Sequence, residues 1–231
     1  MLHVIDAGVV AYRPAWEMQL AFLDGVLAGK YAEGVLMLVE HPPVVTIGRR
    51  ANAEQHLLAS PAMLKLRGVE VVETDRGGDI TFHGPGQLVA YPILPLNHYG
   101  LNLHSYMRLL EQVIIDGLAR FGIAAMRDTA VPPATGVWVA RTRQGAGFSV
   151  VELAKIAAIG IKVRRWVTLH GLALNVSTDL SFFDLINPCG LSRPVTSMKQ
   201  LRGEGCPRMS ELKSGVIAAF QRSLEAVTAP G

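Results

Sequence analysis

Apolar positions along this chain change their period several times, and each change marks an element. Within residues 34–40 the apolar run is unbroken from Val35 to Val39, as in a strand covered on both faces. Residues 2–5 read as a shorter strand. Trp16, Leu20, Leu23 and Leu27 recur at three and four residues, so residues 14–27 are expected to form an amphipathic helix with Pro14 in its first turn. The same spacing in Tyr106, Leu109, Leu110, Val113, Ile114 and Leu118 predicts a helix over 103–121, stopped by Gly122. A closing helix over 209–227 would take Ser210 as its N-cap. Between these lie strand-like runs at 44–49, 69–73, 88–94 and 136–140, then two long ones at 153–163 and 166–176. Short helices are expected at 61–67, behind Ser60-Pro61, and at 179–185, behind an Asp or Thr cap. Residues 129–135 read as a proline-containing loop and 141–147, polar and glycine-rich, as an exposed hairpin tip. The expected fold is α/β: one domain over residues 1–231 is favoured over two small ones, with a sheet and helices.

Composition narrows the class. Half the residues are hydrophobic and the mean hydropathy is +0.29, yet no apolar run approaches the roughly 18 residues of a membrane span. A soluble protein is expected, with no membrane partner. Residues 1–8 lack the charged region, long apolar stretch and small-residue cleavage site of a secretory signal, which points to the cytoplasm. Cys189 and Cys206 are the two cysteines, too few for a disulfide framework or a zinc site, so both thiols should be reduced. The net charge of +3 rests on sixteen arginines and six lysines. It suits an acidic partner but not nucleic acid, because basic residues occur at most in pairs (Arg49-Arg50, Arg164-Arg165) without interleaved aromatics.

Residues 76–87 carry the densest punctuation: Arg76-Gly77-Gly78-Asp79-Ile80-Thr81-Phe82-His83-Gly84-Pro85-Gly86-Gln87. Polar and apolar positions alternate over 79–83, giving a short strand between two glycine turns, with Arg76 and His83 near the loops and bare backbone at Gly77, Gly78, Gly84 and Gly86. A small ligand could approach that backbone closely. No Gly-Lys-Ser/Thr ending supports a phosphate loop, and no helix follows to make a dinucleotide fingerprint. A glycine-rich hairpin that only turns a corner is the alternative.

Two residues carry candidate chemistry. Cys189, between Pro188 and Gly190, sits in a loop that would present its sulfur, although a lone cysteine is as readily a small apolar filler. Lys155 is the only charge in the apolar stretch 153–161. Burial disfavours its cation unless an anion lies beside it, and a thiolate would be such an anion. The bland reading of Lys155 is an edge-strand lysine reaching to water. His83 and His170, each followed by glycine, are alternative bases or satisfied core histidines.

Taken together, Arg76-Gly77-Gly78, residues 81–87, Gly136-Val137-Trp138-Val139, Lys155-Ile156-Ala157 with Ile159-Gly160, residues 169–175 and Asn187-Pro188-Cys189-Gly190 resemble the lipoyl(octanoyl) transferases. The likeness covers most of the chain, and the separation of Lys155 from Cys189 also fits. It implies the fold of the biotin and lipoate ligases, a single α/β domain of the α+β type with a mixed β-sheet flanked by helices, and an enzyme that takes octanoyl from octanoyl-acyl carrier protein. The acyl group would pass through a Cys189 thioester to a lysine of the lipoyl domains of 2-oxoacid dehydrogenases or of the glycine-cleavage H protein. Lys155 would lower the thiol pKa, and neither metal nor cofactor would be needed. The acyl site implied is Arg76, Gly77, Gly78, Asp79, Ile80, Thr81, Phe82 and His83, with Ala158, Ile159, Gly160, His170, Gly171, Leu172 and Ala173. One departure is visible: residues 140–154 are longer than the family's usual turn. The rival readings are an ATP-using ligase of the same fold and a non-catalytic acyl-carrier-binding domain.

Overall fold

The structure, a computed structural model, describes residues 1–129, 134–144, 149–187 and 193–228. Its main sheet has seven strands: β1 (His3–Val9), β2 (Val35–Glu40), β6 (Gln87–Ile93), β7 (Ala125–Arg127), β8 (Val137–Gln144), β9 (Ser149–Arg164) and β10 (Val167–Asn175). They lie in the order β1-β2-β6-β10-β9-β8-β7. Only the β1–β2 pair is parallel. A second sheet joins β3 (Val44–Ile47), β4 (Glu70–Glu73) and β5 (Ile80–His83) in the order β4-β3-β5.

Helices cover both faces of the main sheet. On one face α3 (Leu103–Ala119) and α5 (Met209–Thr228) bury Leu110, Val113, Ile114, Leu118, Val216 and Phe220 against Leu36, Leu38, Leu88 and Ile156. On the other, α1 (Tyr12–Leu27) sets Ala15, Leu23 and Val26 on Met37, Val89 and Leu169. Each full burial of such a side chain contributes roughly 1.5–3 kcal/mol. This two-sided cover is why β2 reads as a continuous apolar run. Two short helices complete the set, α2 (Pro61–Leu66) and α4 (Met198–Arg202). Around α2, Leu64 packs with Val45, Ile80, Phe82 and Leu185 in a separate small core under the three-stranded sheet. Among the described residues no helix is long and apolar enough to cross a membrane.

Element types follow the pattern closely, and the differences have simple causes. Residues 141–144 are not a hairpin tip: β8 runs on to Gln144, and Arg141 pairs across the ladder with Glu152, their side chains joined at 2.9 Å. That ion pair makes a polar stretch compatible with a strand. The rest of the expected tip, residues 145–148, lies outside the described residues. Ser210 is not the N-cap of α5 but stands inside its first turn; the Arg208 carbonyl accepts from Glu211 and Leu212, and the Glu211 carboxylate accepts the Arg208 N–H at 2.9 Å. Ser60 caps α2 as expected, accepting from Met63 N–H. Residues 180–185 form a 3-10 helix that Asp179 caps.

Candidate active site

A cavity of about 550 Å³ opens between the two sheets. Its floor exists because side chains are missing. Gly160 pairs across the strands with Gly171, and Ala158 with Ala173, so the centre of the β9–β10 ladder carries almost no bulk above the backbone. The loop before β5 forms a wall by lying directly on β9: Gly77 N–H donates to the Ile161 carbonyl at 2.8 Å. A Cβ at Gly160 would stand 2.8 Å from the Gly77 carbonyl oxygen, so glycine is required for that approach.

Most of the expected acyl site lines this cavity: Arg76, Gly78, Asp79, Ile80, Thr81 and His83 on the wall, and Ala158, Ile159, Gly160, His170, Gly171, Leu172 and Ala173 below, with Lys155 at the mouth. Gly77 and Phe82 do not. Gly77 docks the wall on β9, and Phe82 turns into the small core, stacked on Phe182 with ring centroids 4.7 Å apart. In a strand, neighbouring side chains face opposite ways, so Thr81 and His83 share the face that Phe82 does not, while Ile80 packs with Phe82 in the small core and also touches the cavity. Cys189 lies outside the described residues.

The lining also holds residues that the motif reading left unassigned. Gln87 and Asn175 stand inside the quoted motifs. Tyr12 and Tyr91 sit in an apolar helix face and an apolar strand, where nothing marks them as ligand-facing. Tyr12 stacks near His83, with centroids 6.0 Å apart, and lies 5.4 Å from the His41 ring.

The hydrogen bonds at this buried end decide protonation. Gln87 Nε2 donates to the Phe82 carbonyl at 3.1 Å and to Asn175 Oδ1 at 2.9 Å, which leaves Gln87 Oε1 to accept from His83 Nδ1 at 2.7 Å. His83 Nε2 is thereby an acceptor facing the Thr46 hydroxyl at 3.4 Å. Burial, with His41 close by, pushes His83 down to about 3. His41 donates from Nδ1 to the Val10 carbonyl at 2.6 Å and faces the Tyr91 hydroxyl through Nε2 at 2.7 Å; burial brings it down to about 4. His170 has φ +58, unusual for a residue with a side chain, and its Nε2 meets Asp75 at 2.7 Å. Burial lowers its pKa too, and the bond to Asp75 only partly opposes that. These three histidines are therefore neutral near pH 7. Arg76 supplies positive charge there, its guanidinium held by the Thr46 hydroxyl and carbonyl and the Gly77 carbonyl.

Lys155 also lines the cavity. It is not on an edge strand, since β9 lies between β10 and β8. Its half-buried ammonium donates to the Thr135 carbonyl at 3.1 Å and sits 4.7 Å from the centre of the Trp138 ring. A carbonyl and an aromatic face both favour a cation, so the surroundings are less apolar than residues 153–161 suggest. The main chain of Lys155 also bonds to Pro194 and Thr196, which follow the 188–192 segment. At the other end of that segment Asn187 N–H donates to the His56 carbonyl at 2.8 Å, and His56 Nδ1 contacts the Asp79 carboxylate at 2.7 Å. Among the described residues no cluster of three or more His, Cys, Asp or Glu side chains could hold a metal ion.

The mixed sheet flanked by helices is a fold shared with solved lipoate and biotin protein ligases. A bipartite lipoate protein ligase of Thermoplasma acidophilum superposes with a TM-score of 0.70 over 97% of this chain and 84% of that one, at 16% identity. The biotin protein ligase of Aquifex aeolicus, solved with biotin and ATP, superposes with a TM-score of 0.54 over 97% and 70%, at 12% identity. The chain belongs to the lipoyl protein ligase A/B catalytic domain family, whose model matches residues 11–221. Within that family it is similar to the octanoyltransferase of Gloeobacter violaceus, 46% identical over 230 residues that cover 99% of this chain and 92% of that protein. The octanoyltransferase of Pelobacter propionicus is 45% identical over 222 residues, covering 95% and 94%.

Proposed function

We propose that this chain is an octanoyltransferase of lipoate biosynthesis that works through a Cys189 thioester. The donor is octanoyl-acyl carrier protein. The acceptors are lysines of lipoyl domains, those of 2-oxoacid dehydrogenases or of the glycine-cleavage H protein. Similarity to octanoyltransferases over nearly the whole chain supports the reaction, and one geometric observation supports the site: Lys155, at the mouth of the 550 Å³ cavity, is bonded to the chain that leaves the Cys189 segment. The cavity falls within the roughly 300–1,000 Å³ typical of small-molecule sites.

In the first half-reaction the Cys189 thiolate attacks the thioester carbonyl, the donor thiolate leaves and takes the Lys155 ammonium proton, and one thioester is exchanged for another with little change in free energy while Lys155 is left neutral. A cation at Lys155 favours the attacking thiolate. In the second, the acceptor amine attacks the acyl-enzyme carbonyl, Cys189 leaves as thiolate, and an amide forms; the amine's proton passes to Lys155 once that residue is neutral. With His41, His83 and His170 neutral and bound to fixed partners, Lys155 is the group at hand for both tasks. The small residues Ala158 and Ala173 on the floor leave space for the acyl chain, and Arg76, Gly78, Asp79, Ile80, Thr81 and His83 wall it. No nucleotide enters this scheme.

Intact mass after incubation with octanoyl-acyl carrier protein tests it. One octanoyl adduct, released by hydroxylamine and absent from Cys189→Ala, is the expected result. Acylation of Cys189→Ala to the same extent would exclude Cys189 as the nucleophile. Release of AMP during transfer would mark an ATP-using ligase instead.

A further inference from the structure

We propose that Asp128 and Glu111 are positioning residues for Lys155, holding the stretch 134–136 from both ends so that the Thr135 carbonyl meets the lysine ammonium. The inference builds on the role given to Lys155 above.

The stretch 134–136 lies outside any helix or strand, so its own backbone ladder does not fix it. Side chains do. Ala134 N–H donates to Asp128 Oδ2 at 2.8 Å, Gly136 N–H faces Glu111 Oε1 at 3.4 Å, and the Trp138 indole donates to the Ala134 carbonyl at 3.1 Å. Between these anchors stands Thr135, whose carbonyl receives Lys155 Nζ. Gly136 completes the fit. Its φ is +127, and a Cβ there would stand 2.7 Å from the Ala157 carbonyl oxygen and 3.3 Å from Lys155 Cε.

Both carboxylates are buried, 3% and 6% exposed for Glu111 and Asp128, where an unpaired charge would be costly. Arginines pair them: Arg108 at 2.7 Å and Arg127 at 3.1 Å for Glu111, and Arg193 at 2.6 Å for Asp128. Among the described residues three guanidiniums face these two carboxylates, so the group does not act on Lys155 mainly by attraction. Its effect is geometric. Glu111 uses both oxygens, Oε1 for Gly136 N–H and Oε2 for Arg108 and Arg127, so an amide there must turn its NH₂ toward a donor; Asp128 Oδ2 takes Ala134 N–H and Arg193 together, and an asparagine oxygen would keep the acceptor but lose the charge that holds Arg193. Arg193 also reaches over the Trp138 ring, 5.0 Å from its centre, so the same aromatic carries Lys155 and the anchor of the chain that follows Cys189.

The test uses Asp128→Asn and Glu111→Gln in the full chain, with kinetics of octanoyl transfer and reductive methylation of Lys155 read by peptide mass against pH. Each variant should lose about tenfold in kcat, a cost in line with a misplaced catalytic group, with KM for the donor changed less than about twofold. The methylation profile of Lys155 should move in both. In a Lys155→Ala background Asp128→Asn should cost little more, because its effect runs through the missing lysine. Full loss in that background, or wild-type kcat and an unmoved methylation profile in the single variants, would overturn the proposal. If a carboxamide variant does not fold, Asp128→Glu shifts the same anchor by one methylene and should give a smaller loss of the same kind; no loss there counts against the proposal. Unchanged transfer by Lys155→Ala alone would reject the role of Lys155, while the methylation profile would still report whether Asp128 and Glu111 hold it.

Discussion

The main chains of Lys155 and Val195 run parallel and are bridged on both sides, Lys155 N–H to the Pro194 carbonyl and Thr196 N–H to the Lys155 carbonyl, each at 2.9 Å. The chain that leaves the Cys189 segment is thereby fastened to the backbone of the lysine proposed to activate it. Asn175 supports the joint: its amide donates to the Thr196 carbonyl at 3.0 Å, and its oxygen accepts from Gln87 at 2.9 Å.

Asn175→Ala should therefore weaken fold and catalysis together. It strands the Thr196 carbonyl and one Gln87 N–H in a buried site, a cost of about 1–3 kcal/mol per group. Urea unfolding should show a lower midpoint, and kcat should fall at temperatures where the variant is still folded. A shifted midpoint with wild-type kcat would mean that the Lys155–Val195 joint does not depend on Asn175.

The buried histidines predict loss of stability in mild acid. Folded His83 and His41 titrate at about 3 and about 4, below the 6.5 of an ordinary histidine, so between those values and 6.5 the unfolded chain binds protons that the folded chain refuses. Stability is therefore fully present above pH 6.5 and falls as the pH drops from 6.5 toward 4, by up to about 1.4 kcal/mol per pH unit for each histidine. Denaturant midpoints at pH 7, 6 and 5 should fall less steeply for a folded His83→Gln variant than for the wild type. Parallel slopes would place the acid sensitivity elsewhere.

The cavity floor separates two kinds of substitution that look alike in sequence. Ala158→Leu places an isobutyl group in the acyl space, so KM for the octanoyl donor should rise several-fold at nearly unchanged melting temperature. At Gly171 a Cβ would stand 2.2 Å from the Ala90 carbonyl oxygen, inside the β10–β6 ladder. Gly171→Ala should therefore destabilise the fold by about 1–3 kcal/mol or more as overpacking, rather than narrow the channel. Melting curves beside donor titrations distinguish the two, and equal melting temperatures would contradict the assignment for Gly171.

Cys206 should be a slow thiol. Burial raises its pKa, with the Lys199 charge opposing only in part, and its sulfur faces the Val176 carbonyl at 3.8 Å. Iodoacetamide at pH 7 should label Cys189 well before Cys206, as peptide mapping would show, and Cys206→Ala should retain activity. Faster labelling at Cys206 would contradict this order.

Much of the fold was legible because burial writes itself into local pattern. The unbroken run of β2, the three-and-four spacing of α1 and α3, and the Ser60 cap of α2 each record a contact in the order of the residues themselves. Where the pattern misled, a partner distant in sequence was one cause. Arg141 looks like a solvated tip until Glu152 stands opposite it; Ser210 misleads for a local reason, since Glu211 takes the Arg208 N–H and the helix starts before Ser210.

The site was divided in the same way. By itself the sequence offered Arg76 and His83 beside glycine turns and Lys155 and Cys189 as candidates, since glycines and isolated charges in apolar runs are visible one position at a time, and it carried the family resemblance, which implied the acyl-site residues. Only the tertiary structure decided that Phe82 leaves the cavity, that His83 is held as a neutral acceptor, and that Lys155 rests on Thr135 and Trp138 rather than in a plain apolar strand. Tyr12, Asp128 and Glu111 join the neighbourhood from α1, from the end of β7 and from α3. Protonation and position depend on what surrounds a group in space, and those surroundings arrive from elements that the chain order keeps far apart.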